Sequence, residues 1–138
     1  MGYIDLGKED GATLHLFSTR SGSSGYLIQP TIFTNARPDM KIVREEIFGP
    51  VGVVIPFSSE EDVVQQAKNT NFGLAAAVFS KDIDRTLRVA NKLQAVTLWV
   101  NVTLALNIQV PFGGYKQSGI GREDGEYTLE KYVHSNNI

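Results

Sequence analysis

The sequence has 138 residues, 42% of them hydrophobic and 20% charged, with thirteen Lys and Arg against fifteen Asp and Glu and no cysteine. That is the size and composition of one ordinary soluble globular domain, long enough to bury a core of its own. The slightly acidic balance offers no basic field to nucleic acid or an anionic membrane, no apolar run approaches the ~20 residues that span a bilayer, and the missing thiol removes disulfides, thiolate zinc sites and thiol catalysis together.

Residues 1–12 read as the end of a helix stopped at Gly11. The start carries no basic region followed by an apolar stretch, so no secretory leader is expected. Leu6 stands where a myristoylation signal wants Ser or Thr. Residues 13–17 alternate as a strand, Ser18 to Gly25 is a Ser/Gly loop, and residues 26–34 form a β-branched, aromatic strand. Pro30 places that strand at an edge or a bulge. Asp39 is predicted to cap a short helix from Met40 to Glu45, and Phe48-Gly49-Pro50 to turn. Val51 to Phe57 reads as a buried strand.

Ser58 and Glu61 fit a capping box for a helix reaching about Asn69, with Val63, Val64 and Ala67 as its apolar stripe. Residues 74–79 form another buried strand. Ser80 or Asp82 caps the next helix, whose stripe is Ile83, Leu87, Ala90 and Leu93. Val96 to Val100 is a further apolar strand. Strand, helix, strand, helix, strand with short connections predicts an α/β fold, a parallel-rich sheet with right-handed crossover helices. Residues 102–122 form a long segment turning rich in Gly, Gln and Ser, the kind of loop that usually serves function. A last helix, about Glu123 to Tyr132, leads to a polar tail at His134 to Ile138. His15 and His134 lack partners at metal-ligand spacing, so no metal site is expected.

Four stretches carry a family resemblance. They are Glu45-Glu46-Ile47-Phe48-Gly49-Pro50, the run Phe72 to Phe79, Trp99-Val100-Asn101, and Pro111 to Glu123 (PFGGYKQSGIGRE). In this order and spacing the sequence resembles the NAD(P)-dependent aldehyde dehydrogenases. The resemblance implies an incomplete aldehyde dehydrogenase catalytic domain: residues 1–138 would be its C-terminal portion, with the nucleotide-binding domain absent. The family oxidises aldehydes to carboxylic acids through a cysteine thioester, with hydride passing to NAD or NADP. Its cysteine and its general-base glutamate lie N-terminal to the stretch matched here, so no catalytic residue is expected in this chain. Gly119-Ile120-Gly121 follows a polar loop rather than a strand and is a poor phosphate cradle.

By resemblance, Glu46 binds the hydroxyls of the nicotinamide ribose, as a carboxylate accepting two hydrogen bonds from a diol can. Phe48 packs on the nicotinamide ring. Read from spacing alone, Glu46 is a surface helix acid near Arg44 and Phe48 a core residue before a turn. Leu106 and Phe112 fall at family positions lining the aldehyde tunnel; ordinary loop packing is the competing reading. Structural roles are expected for Gly49 and Pro50 as turn formers, Asn101 at a strand end, and Gly113 and Gly114 where backbones approach closely. Arg122 and Glu123 are expected to anchor the loop to the last helix. Val96 replaces a common glycine, Val102-Thr103 replace polar or aromatic residues, and Leu104 to Ile108 are unusually apolar.

The resemblance implies a share in an oxidoreductase acting on aliphatic or aromatic aldehydes, homo-oligomeric, cytoplasmic, with the mitochondrial matrix also open for the intact protein. NAD or NADP is the cofactor of that intact protein, and neither is expected to bind tightly to this chain alone. Two other readings stay open: a non-catalytic homologue acting as an assembly or interaction module through sheet edges, and a small-molecule binding domain that keeps the tunnel wall.

Overall fold

The computed structural model describes residues 1–133. They form two compact units, one from Met1 to Ser58 and one from Ser59 onward. The tail expected at His134 to Ile138 lies outside the described residues.

In the first unit, helix α1 (Gly2–Glu9) buries Ile4 and Gly7 on one face, with Asp5 in its first turn and Lys8 in its last, as the helix dipole favours. It ends at Gly11, whose φ is 89°. The Gly11 N–H donates to Lys8 O (3.1 Å) and the Ala12 N–H to Gly7 O (2.9 Å), closing a Schellman motif. Strand β1 (Thr13–Leu16) pairs antiparallel with β2 (Thr31–Thr34), and β2 pairs parallel with β3 (Val51–Val53). Helix α2 (Lys41–Arg44) packs on α1. Ile4, Ala12, Phe33, Met40 and Ile42 form the core. A Cβ on Gly7 would lie 3.0 Å from Phe33 Cζ, so its absence lets α1 close on the Phe33 ring.

Several expectations for this unit are corrected. The strand predicted over 26–34 is confined to Thr31–Thr34. Residues before Pro30 instead fold back on the Ser/Gly loop, with an isolated bridge from Arg20 to Ile28. Met40, not Asp39, is the N-cap of α2 and its side chain makes no capping bond; Asp39 pairs with Arg37 at 3.3 Å. The predicted strand Val51 to Phe57 shrinks to Val51–Val53, half-buried to exposed, with Pro56 unable to donate to a ladder a few residues on.

In the second unit, α3 (Glu60–Lys68) is capped one residue later than predicted: Ser59 Oγ accepts from the Asp62 N–H at 3.1 Å. Val64 is buried and Val63 half-buried, but Ala67 is exposed. Short β4 (Phe72–Gly73) precedes β5 (Ala75–Val78), α4 (Ile83–Ala90) and β6 (Thr97–Val100). The β5 and β6 strands pair in parallel, from Ala75 with Thr97 to Val78 with Val100, and α4 packs on both. This is a βαβ crossover of the kind the element order implies. Asp82 caps α4 by accepting from the Arg85 N–H at 3.0 Å.

The faces differ from expectation. Helix α4 buries Thr86, Val89 and Ala90, while Ile83 and Leu87 of the predicted stripe are 52% and 48% exposed. Strand β5 alternates half-buried and exposed instead of being buried throughout. β3 pairs with β2, not with β5, so the parallel pairs are β2–β3 and β5–β6. The fold is mixed α/β with parallel strands. Strand β7 (Tyr115–Lys116) pairs antiparallel with β4 inside the predicted loop. The last helix, α5 (Tyr127–Glu130), is far shorter than predicted; Asp124 and Gly125 both sit at φ 59°, a left-handed backbone that cannot continue into a right-handed helix.

Candidate functional site

The predicted site residues divide between the two units. In the first, the chain leaves α2 at Glu45 in extended conformation. The Tyr3 hydroxyl donates to Glu45 Oε2 at 2.7 Å. That bond raises the Tyr3 pKa, because the phenol is held by a carboxylate that favours its neutral form. Ile47 packs against the core. Glu46 and Phe48, on either side of it, are exposed, Phe48 at 92%. Glu46 makes no hydrogen bond or ion pair with any described residue, and it lies beyond the helix rather than on it.

The far end of this segment is also fixed. The Gly49 N–H donates to Ile47 O (2.9 Å), the Val51 N–H to Gly49 O (2.8 Å), and Pro50 O accepts from the Thr31 N–H (2.8 Å). Gly49 has open space around it and no left-handed φ, so its conformation does not itself demand glycine. Pro50 begins the β2–β3 pairing. The result is a carboxylate and a flat apolar ring, two residues apart, held outward on a strut pinned at both ends.

In the second unit, Asn101 follows β6 with φ 55°, a left-handed conformation that Asn tolerates. Its N–H donates to Val78 O and its Oδ1 accepts from the Ser80 N–H, both at 2.9 Å. Asn101 therefore ties the C-terminal ends of β5 and β6 together, and no hydrogen bond joins it to Leu106 or Phe112. Leu104, Leu106 and Ile108 are 77%, 68% and 81% exposed. The Trp99 indole N–H donates to Ala105 O at 2.7 Å across this loop.

Phe112, half-buried, exchanges two backbone hydrogen bonds with Glu123, at 2.7 and 2.6 Å. Gly113 and Gly114 sit where backbone crosses backbone. A Cβ on Gly113 would lie 2.6 Å from Gly121 O, and one on Gly114 2.6 Å from the Ser118 carbonyl carbon. Arg122 Nη1 donates to Gly114 O (3.0 Å) and Gly121 O (2.7 Å), with its guanidinium 5.3 Å from the Tyr115 ring centroid. The expected anchor from Arg122 and Glu123 to the last helix is thus a clasp within the loop itself. The Lys116 ammonium donates to Lys68 O (3.1 Å) and Thr70 O (2.9 Å), capping the end of α3, and Ser118 Oγ accepts from the Gly73 N–H (2.9 Å). No local pattern signals the parts played by Lys116 and Ser118, whose partners lie more than forty residues away, or by Trp99, whose N–H meets a backbone carbonyl of an irregular loop.

No group of three His, Asp or Glu among the described residues could hold a metal, and no helix there is long and apolar enough to cross a membrane. His15 contacts Thr34 Oγ1 at 2.8 Å across the β1–β2 pair.

A family model described as the aldehyde dehydrogenase family matches residues 1–138, and the chain belongs to that family. An aldehyde dehydrogenase of Agaricus bisporus is 56% identical over 134 residues, covering 97% of this chain and 27% of the fungal protein. Aldehyde dehydrogenase 1A1 of Gallus gallus is 52% identical over 94% of this chain and 26% of its own length. Among solved structures, the NAD+ complex of an aldehyde dehydrogenase from Bacillus cereus is similar with a TM-score of 0.92, 50% identity and coverage of 96% of this chain and 27% of that one. Betaine aldehyde dehydrogenase from Staphylococcus aureus with NAD+ gives a TM-score of 0.93 at 44% identity. The chain spans roughly a quarter of the length of these relatives.

Proposed function

We propose that this chain is the C-terminal part of the catalytic domain of an NAD(P)-dependent enzyme that oxidises an apolar aldehyde to its acid, and that it is inactive by itself. The observation that carries this reading is the exposed, unengaged carboxylate of Glu46 beside the exposed ring of Phe48, on a strut held at both ends. A diol such as a ribose edge can donate two hydrogen bonds to such a carboxylate, and a flat apolar ring suits the face of an uncharged heterocycle. When bound, NAD(P) supplies the hydride acceptor. Glu46 binds and orients, Phe48 covers one ring face, and Leu106 with Phe112 supply apolar wall that excludes water from the aldehyde. The nucleophile comes from elsewhere, because this sequence has no cysteine.

The test measures NADH formation. The 138-residue chain alone is expected to give none with any aldehyde. In a longer polypeptide carrying it, Glu46→Gln is expected to raise the KM for NAD about tenfold, the effect of weakening hydrogen bonds to a charged group. Turnover by the chain alone, or an unchanged KM, contradicts the reading. The exposed Ile83 and Leu87 on α4 favour a second reading, an assembly module. A concentration-dependent dimer in sedimentation, with no oxidation in any longer form, would select it.

A further inference from the structure

We infer that Trp99 is a positioning residue for the aldehyde wall. Its indole N–H sets the conformation of the loop that presents Leu106. The inference rests on the reading of Leu106 as tunnel wall and adds what holds that wall in place.

Three observations meet at this loop. Leu104 sits at φ 58°, a left-handed backbone that a branched, bulky side chain adopts only when its surroundings impose it. Directly after it, Ala105 O receives the Trp99 Nε1–H at 2.7 Å. Leu104 and Leu106 on either side are largely exposed, so packing within this chain does not fix them. Among the described residues, the hydrogen bond is therefore the restraint shown between Asn101 and Asn107. At one end Asn101 is bonded to Val78 and Ser80. At the other, Asn107 Oδ1 accepts from the Gln109 N–H at 2.9 Å and its carbonyl from the Val110 N–H at 3.0 Å. Trp99 stands on β6, in register with Ala77 of β5. A strand in a parallel pair is a rigid post, so the indole transmits the position of the sheet to the loop. A phenylalanine could fill the same space but has no N–H to offer.

Trp99 is the single tryptophan of the chain, so its indole signal reports on this bond alone. In the 138-residue chain, the indole N–H resonance is expected to be protected from exchange at least about tenfold relative to a free indole. Trp99→Phe is expected to speed backbone amide exchange across residues 102–107 while leaving β5 and the capping of α4 unchanged. In the longer enzyme, Trp99→Phe is expected to raise KM for an apolar aldehyde about fivefold with kcat within about twofold, since loosening the wall removes binding rather than chemistry. Trp99→His, which keeps a ring N–H, is expected to recover part of that loss. An unprotected wild-type indole, or a Trp99→Phe variant with unchanged exchange across 102–107, overturns the inference. If the loop loosens as expected but Leu106→Ala leaves aldehyde preference untouched, the anchoring stands and the tunnel reading fails instead.

Discussion

Gly114 offers the sharpest test of the loop geometry. Replacing it by alanine puts a methyl carbon 2.5 Å from Ser118 Cβ, 2.6 Å from the Ser118 carbonyl carbon and 2.7 Å from its oxygen. Two of those atoms are backbone, so no rotamer change relieves the overlap. Ser118 cannot easily withdraw either, because its Oγ accepts from the Gly73 N–H and its own N–H donates to Tyr115 O at 3.1 Å. The turn must open, and the two-residue β4–β7 pairing opens with it. Overpacking costs about 1–3 kcal/mol, and a clash against backbone belongs at the upper end. With a urea slope of about 2 kcal/mol per molar, Gly114→Ala is expected to lower the unfolding midpoint of this unit by about 1–1.5 M. Gly52→Ala is the control. Gly52 lies in β3 with no heavy atom within 4 Å of its missing Cβ, and alanine there is expected to stabilise by about 0.5 kcal/mol. A Gly114→Ala midpoint within about 0.3 M of wild type, with an unchanged amide spectrum, would refute the close approach.

Glu60 joins α3 to α4 by accepting from Arg88 Nη2 at 2.7 Å and Lys92 Nζ at 3.1 Å. The hydrogen bonds from Arg88 and then Lys92 hold its carboxyl down at about 2, below its ordinary 4.5, and raise the Arg88 pKa in turn. A depressed folded-state value contributes stability that is complete above pH about 4.5 and lost as pH falls toward 2. Glu60→Gln is therefore expected to be less stable than wild type at pH 6, with the gap closing by pH 2; parallel urea midpoints across that range would count against the network. Lys116→Met keeps the aliphatic stem but loses the donor to Lys68 O and Thr70 O. It is expected to cost about 1 kcal/mol and to speed amide exchange in the last turn of α3; unchanged exchange there would show that the cap contributes nothing.

What could be read from the sequence was local or carried by motif. Gly11 announced the end of α1, the pair Ser80 and Asp82 bracketed the start of α4, where the structure selects Asp82, and the order around them announced the β5–α4–β6 crossover. Periodicity found an apolar row on α4 but not which row is covered. Thr86 is wholly buried because its hydroxyl donates to Asp82 O at 2.8 Å, a satisfaction that a hydropathy pattern does not register. Ser58 and Ser59 are both good caps, and only the backbone selects Ser59. The β4–β7 pair has two residues a side and more than forty between them, too few for any period and too far for any turn signal. At the candidate site, the pair of acids at 45 and 46 was legible by resemblance. What distinguishes the two is not local: Tyr3, forty-two residues upstream, takes Glu45, while no described residue bonds Glu46.

The exposed apolar surface bears on both readings of the chain's function. The residues that supply apolar surface are not scattered singly: Phe79, Ile83 and Leu87 follow β5 into α4, and Leu104, Leu106 and Ile108 line one loop. Contiguous exposed apolar surface marks an interaction site, and each reading supplies its cover: a second copy of the chain over Ile83 and Leu87 for an assembly module, or the remainder of a longer polypeptide over the 104–108 loop for the proposed aldehyde wall.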